Sequence, residues 1–177
     1  MARALLWISS ALIAWTQAGY GLFLAALSRR RAAAPPPAGE RAPLPLVTLI
    51  VAAHREEAVI VAKVANALAL DWPRERLELI VAVDGGAEAA ADATAERARA
   101  AGADAVLELP RAGKVRTQDA AVRVARGELL AFSDANAQWE RDALRELAAA
   151  FGDPGVGYAC GRVTFLGAGG DNQEGAY

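Results

Sequence analysis

Charged and polar groups recur at four places in this chain, each directly after an apolar run. His54-Arg55-Glu56-Glu57 follows the first run and Asp84-Gly85-Gly86 the second. Arg111-Ala112-Gly113-Lys114 follows the third and Ser133-Asp134-Ala135-Asn136 the fourth. A carboxylate such as Asp84 accepts hydrogen bonds from a nucleobase or a ribose. Gly85 and Gly86 carry no Cβ to hold a ligand off the backbone. Asp134, with Asn136 two residues on, offers a carboxylate and an amide oxygen. A hard divalent cation such as Mg2+ or Mn2+ takes one or two such oxygens and completes its shell on diphosphate oxygens. There it neutralises charge on a departing diphosphate, a Lewis-acid role. Lys114 or Arg111 adds a further positive contact to phosphate.

Each of these residues also has a plainer use. Asp134 suits the cap of the helix that follows, Lys114 a solvated first helical turn, and Asp84 a tight turn. His54, the sole histidine, reads as a structural group or a pocket wall rather than a catalytic base. Other chemistries find no support. No G-x-G-x-x-G follows a strand, no G-K-[ST] is present, and no Ser-His-Asp set is plausible.

The elements that must position these groups alternate. Residues 46–53 form a continuous apolar run, the pattern of a strand buried on both faces. Residues 57–70 read as a helix with Val59, Ile60, Val64 and Leu68 near one face, ended by Asp71-Trp72-Pro73. Strands are expected at 77–83, 105–109, 129–133 and 157–166, and helices at 89–101, 114–125 and 141–151. Residues 167–177 are polar and glycine-rich. Strict alternation implies an α/β fold, a mostly parallel sheet with helices on both faces. Ligands of such sheets bind beyond the carboxyl ends of the strands, where the four polar clusters fall.

Residues 4–27 are apolar without a charged residue, and a membrane-spanning helix needs about 20 such residues. Arg29, Arg30 and Arg31 follow the run and only Arg3 precedes it. This asymmetry places the amino terminus outside and the remainder in the cytoplasm. A cleaved signal peptide is the alternative. Residues 28–45 form a basic, proline-rich linker, with Pro35, Pro36 and Pro37 favouring an extended spacer. Residues 46–177 are then one domain, large enough for a real core. Formal net charge is only −2, which leaves no electrostatic footprint for nucleic acid. Cys160 is the only cysteine, so no internal disulfide or cysteine metal site is available. Its apolar neighbours predict a buried thiol.

Taken in order, the motifs resemble glycosyltransferase family 2, the inverting enzymes of GT-A fold. Residues 47–57, ending Ala53-His54-Arg55-Glu56-Glu57, look like that family's strand closing in P-x-Y-N-E-E. Val81-Ala82-Val83-Asp84-Gly85-Gly86 is similar to its I-V-V-x-D-G-S. Gly113-Lys114-Val115-Arg116-Thr117-Gln118-Asp119-Ala120-Ala121 looks like its G-K-x-x-A-x-N-A-A. Phe132-Ser133-Asp134-Ala135-Asn136 resembles its D-x-D segment.

The resemblance implies a GT-A-like domain behind a single membrane anchor, with a nucleoside-diphosphate sugar as donor, UDP- or GDP-linked. Glu56 and Asp84 would contact base and ribose, Gly85 would line the site, and Lys114 would lie near the donor. Asp134, with Asn136, would hold the diphosphate through Mg2+ or Mn2+. A lipid-linked or polysaccharide acceptor at a bacterial-type inner membrane follows by the same analogy.

Several positions depart from the pattern. Arg55 replaces Asn, Gly86-Ala87-Glu88 replaces S-T-D, and Asp119 replaces Asn. Asn136 replaces the second Asp of D-x-D and removes one charge from the metal site. The family's later E-D-type general base and Q-x-x-R-W do not appear before Tyr177, and Glu174 is no convincing substitute. The domain is therefore expected to be incomplete, cut before its catalytic base. Two other functions stay open on the sequence: a donor-binding fragment without transferase activity of its own, and a nucleotidyltransferase. Against the latter, His54-Arg55-Glu56-Glu57 lacks the glycine-rich loop that such enzymes place after the first strand.

Overall fold

The computed structural model describes residues 1–30, 44–85 and 92–164. Residues 31–43 of the linker expected at 28–45, Gly86, the first residues of the helix expected at 89–101, and everything from 165 on, including Glu174, lie outside the described residues. The chain divides into two compact units.

The first unit contains a helix of three parts: α1 (Ala2–Ala14), a π-helical turn (Trp15–Gly19) and α2 (Tyr20–Arg30). A Cβ on Gly19 would stand 2.5 Å from the Trp15 ring, so the ring lies directly on this glycine and the widened turn surrounds the contact. Ala2–Leu27 is long and apolar enough to cross a membrane, and none of it is buried within the protein.

The second unit is an α/β sandwich. In chain order it contains β1 (Val47–Ala53), α3 (Ile60–Leu68), β2 (Leu77–Asp84), α4 (Thr94–Ala100), β3 (Ala105–Leu109), α5 (Lys114–Val122), β4 (Leu129–Asp134) and α6 (Ala143–Ala149). The strands form one sheet of order β3-β2-β1-β4. All three pairings are parallel, with Val47 opposite Leu77 and Leu129, and Ile80 opposite Ala105. The two central strands are buried almost throughout, as their unbroken apolar sequences require.

The larger core layer packs Leu49, Val51, Leu79 and Val81 against Ile60, Val64, Ala98 and Leu144. Truncating one of these, Leu79→Ala for example, costs about 2–5 kcal/mol. The opposite layer is thin, with Ile50, Ile80 and Ala82 meeting Ala121 of α5. Helices therefore cover both faces, as expected, but the second face is incompletely covered among the described residues. Leu130 and Phe132 of β4 are exposed there.

The polar groups buried in the strands are paired. Glu78 accepts hydrogen bonds from Thr48 Oγ1 at 2.6 Å and from Arg126 N and Nε at 2.8 and 2.6 Å. Gly127 N donates to Thr48 Oγ1 at 2.8 Å. These bonds fasten the turn before β4 to the amino ends of β1 and β2, so the carboxyl ends of the strands start from a fixed register.

The structure corrects two expectations. No strand forms over 157–164, and among the described residues the sheet has four strands rather than five. A strand is defined by its ladder, and this segment, interrupted by Gly157 and Gly161, pairs with none of the four. Cys160, expected to be buried, is exposed; among the described residues no strand or helix covers it.

Candidate functional site

The chain runs from β1 outward to β2 and β3, then returns to the other side of β1 with β4. The carboxyl ends of β1 and β4 therefore flank the point at which the strand order reverses, where open α/β sheets place their ligands. The loop 54–57 leaves β1 at this point, and Asp134-Ala135-Asn136 leaves β4 beside it.

Hydrogen bonds link the strand ends into one connected edge. Asp84, the last residue of β2, is largely buried. One of its carboxylate oxygens accepts from Ala112 N at 2.7 Å and the other from Gly113 N at 3.1 Å. Gly113 has φ 88°, a left-handed conformation that glycine adopts without steric cost, and it starts α5 directly before Lys114. Lys114 Nζ in turn forms an ion pair with Asp134 Oδ1. Gly85 N donates to Leu109 O at 3.1 Å, which extends the β2–β3 pairing to the loop itself. Asp84 thus shapes the loop that carries Lys114, and each of its oxygens retains a second lone pair for a ligand.

His54 closes the other side. A guanidinium can only donate, so Arg111 Nη1 donates to His54 Nε2 at 3.1 Å. The proton of the ring is then on Nδ1, which donates to Asp84 O at 2.5 Å. Both nitrogens are engaged in holding β1, β2 and the loop after β3 together. Of the two uses expected of His54, a structural group or a pocket wall, these contacts fit the structural one.

The loop 54–57 is tied to α4. Glu56 N donates to Thr94 Oγ1 at 2.9 Å, Ala93 N donates to Glu57 Oε2 at 3.1 Å, and Arg97 Nη1 donates to Glu57 O at 2.9 Å. Glu56 O receives the first amides of the α3 turn, from Val59 and Ile60. Arg55 has φ 56°, uncommon for a residue with a Cβ. Such a conformation persists where surrounding bonds over-determine it, as the contacts on both sides of Arg55 do.

Asp134 and Asn136 are both exposed, and Ala135 between them is buried in the core. The turn is closed by Ala137 N donating to Asp134 O at 3.2 Å. Among the described residues no three His, Cys, Asp or Glu side chains are grouped to hold a metal ion. One exposed carboxylate and one amide oxygen do fit a cation that takes most of its ligands from diphosphate and water. They do not fit a cage made by the protein alone.

Contacts from α3 behind this turn were not legible in the sequence. Lys63 is fully buried. Its Nζ donates to Ala137 O at 2.7 Å and lies 5.5 Å from the centroid of the Trp139 ring. Burial lowers its pKa to about 8, while the charge of Asp134 pulls it upward. One turn further along, Asn66 Nδ2 donates to Trp139 O at 2.9 Å and its Oδ1 accepts from Trp139 N at 3.0 Å. The available sequence signal was the position of Lys63 between Ile60, Val64 and Ala67 on the buried face of α3.

A parallel sheet sandwiched by helices, with acidic and basic groups gathered at its carboxyl edge, defines a GT-A-like domain. The family model for glycosyl transferase family 2 matches residues 48–176, and the chain belongs to that family. Mannosyltransferase PcManGT from Pyrobaculum calidifontis, solved in complex with GDP-Man and Mn2+, superposes with a TM-score of 0.62 at 31% identity. The match covers 82% of this chain and 44% of that one. TarS from S. aureus superposes with a TM-score of 0.50 at 23% identity, over 61% of this chain and 19% of its own, a likeness of fold. The chain therefore spans less than half the length of either structure. No curated protein sequence matches it.

Proposed function

We propose that this chain is the donor-binding part of a membrane-anchored glycosyltransferase that takes its sugar from a nucleoside diphosphate. The observation that carries this reading is the junction of Lys114 and Asp134 at the carboxyl edge of the sheet, beside the Asp84-organised loop. A cation-binding carboxylate and a phosphate-binding ammonium are the two groups that a diphosphate needs, and here they occupy one place. The 31% identity to a mannosyltransferase solved with GDP-Man and Mn2+ supports the same reading.

In this account Glu56, Asp84 and Gly85 border the base and ribose, and Lys114 turns from Asp134 to the diphosphate as the donor enters. Asp134 and Asn136 hold Mg2+ or Mn2+. Bound there, the cation supplies Lewis-acid neutralisation of the leaving diphosphate. An acceptor hydroxyl then displaces the nucleoside diphosphate at the anomeric carbon with inversion. No described residue is assigned as the base that takes the acceptor proton. In the same reading the helix Ala2–Leu27 is the anchor, and the arginines after it support a cytoplasmic side for the α/β domain. That position suits a lipid-linked or polysaccharide acceptor at an inner membrane of bacterial type. Residues 4–27, 28–45 and 46–177 serve as anchor, linker and donor-binding domain.

The test is calorimetric titration of the full chain in detergent with UDP and GDP, each in Mn2+ and in EDTA. Saturable binding of one nucleotide in Mn2+ that weakens by about 10-fold or more in EDTA is expected. Equal binding of both in EDTA, or binding of neither in Mn2+, would overturn the reading.

A further inference from the structure

We propose that Lys63 and Asn66 are positioning residues for the cation-binding turn, holding Asp134 and Asn136 in place from behind through the backbone of 137–139. The inference rests on the assignment of Asp134 and Asn136 above.

Three hydrogen bonds leave one face of α3, and all of them end on main-chain atoms. Lys63 takes the carbonyl of Ala137, and Asn66 takes both the carbonyl and the N–H of Trp139. Ala137 N is itself bonded to Asp134 O, so fixing Ala137 fixes the turn that presents Asp134. The side chains of Asp134 and Asn136 are exposed, and beyond the ion pair of Asp134 with Lys114 they rest on the backbone that presents them. Their direction depends on the backbone beneath, and that backbone depends on α3.

Burying a lysine is costly unless its ammonium is satisfied. An apolar residue would fill the position between Ile60, Val64 and Ala67 without that cost. Lysine at this site is explained by what its ammonium reaches. Ala137 O lies at 2.7 Å, and the Trp139 ring, with its centroid 5.5 Å from Nζ, is a second partner. Neither contact touches a ligand. Lys63 therefore stands behind the cation site and supports it through the turn it holds, as groups behind metal ligands do.

The experiment compares the full chain with Lys63→Met, Lys63→Arg and Asn66→Ala. Two quantities are read: hydrogen exchange over 134–139, and the Mn2+ concentration that half-saturates binding of GDP and UDP. Lys63→Met and Asn66→Ala are expected to speed exchange at 134–139 while β1 and β2 stay protected. The half-saturating Mn2+ is expected to rise about tenfold, and Lys63→Arg to restore part of both. Exchange that rises equally across the whole sheet, or unchanged Mn2+ dependence in a variant whose turn has loosened, would overturn the role. If the unsubstituted chain shows no Mn2+-dependent nucleotide binding, the site assignment falls and this role falls with it. Normal binding in the unsubstituted chain with no change in Lys63→Met overturns the positioning role alone.

Discussion

The carboxylate of Asp84 caps the loop that ends at Gly113: one oxygen accepts from Gly113 N at 3.1 Å and the other from Ala112 N at 2.7 Å. The last residue of β2 thereby sets the start of α5 and the place of Lys114. Asp84→Ala leaves two N–H groups without their acceptor. Hydrogen bonds to an ionised acceptor contribute about 1.5–3 kcal/mol each. Urea denaturation of the variant should show a stability loss on the order of 3 kcal/mol, with nucleotide binding lost in parallel. Asp84→Asn should fall between, because its amide presents a donor to one of the two N–H groups. Full stability in Asp84→Ala would mean that the loop holds its shape without the carboxylate.

Gly127 is required for a different reason. A Cβ placed there would stand 2.4 Å from Thr48 N and 2.7 Å from Thr48 Oγ1. The obstacle is the backbone at the amino end of β1, a central strand, which cannot move aside as a flexible side chain would. Gly127→Ala should cost about 1–3 kcal/mol and lower the thermal midpoint, while a substitution at Gly152, where a Cβ meets nothing within 4 Å, should leave it unchanged.

Acid should destabilise the domain through Glu78. Burial works against its ionisation, but the hydrogen bonds from Thr48, from Arg126 N and from the Arg126 guanidinium outweigh it and hold its pKa below the ordinary glutamate value. Its folded-state pKa is thus lower than its unfolded one. The stabilisation is complete above the unfolded value of about 4.3 and is lost as pH falls through the folded value. Asp104, bonded to Arg74 and Leu79 N, is depressed in the same direction and adds to the effect. Glu78→Gln should cost on the order of 2 kcal/mol at neutral pH and flatten the fall of the thermal midpoint between about pH 5 and pH 3. An unaltered acid profile in that variant would show that Glu78 does not carry it.

The strands were legible because burial on both faces leaves an unbroken apolar signature. The ranges expected for the first four strands agree with β1 through β4 to within one residue at either end. The helices are shorter than their apolar periodicity suggested, since a pattern continues past the last closed turn; 57–70 became Ile60–Leu68. Of the strand expected at 157–166, the described part, 157–164, forms none, because composition does not reveal whether a ladder partner exists, and the expected burial of Cys160 failed with it. That Asp84, Lys114 and Asp134 lie at the carboxyl edge of the sheet could be read from their places after apolar runs. What could not be read was the linkage between them, because Arg111–His54 and Lys63–Ala137 join residues 57 and 74 positions apart. A buried lysine on an apolar helix face was also indistinguishable from a solvated one until its partner was placed.

The most direct test of the account is the Mn2+ dependence of nucleotide binding in Asp134→Ala, measured beside the unsubstituted chain. The account predicts that UDP or GDP binding, enhanced by Mn2+ in the unsubstituted protein, becomes indifferent to Mn2+ and weaker by about 10-fold or more in the variant, with the fold retained. Nucleotide binding in Asp134→Ala that keeps its full affinity and its full response to Mn2+ would contradict it.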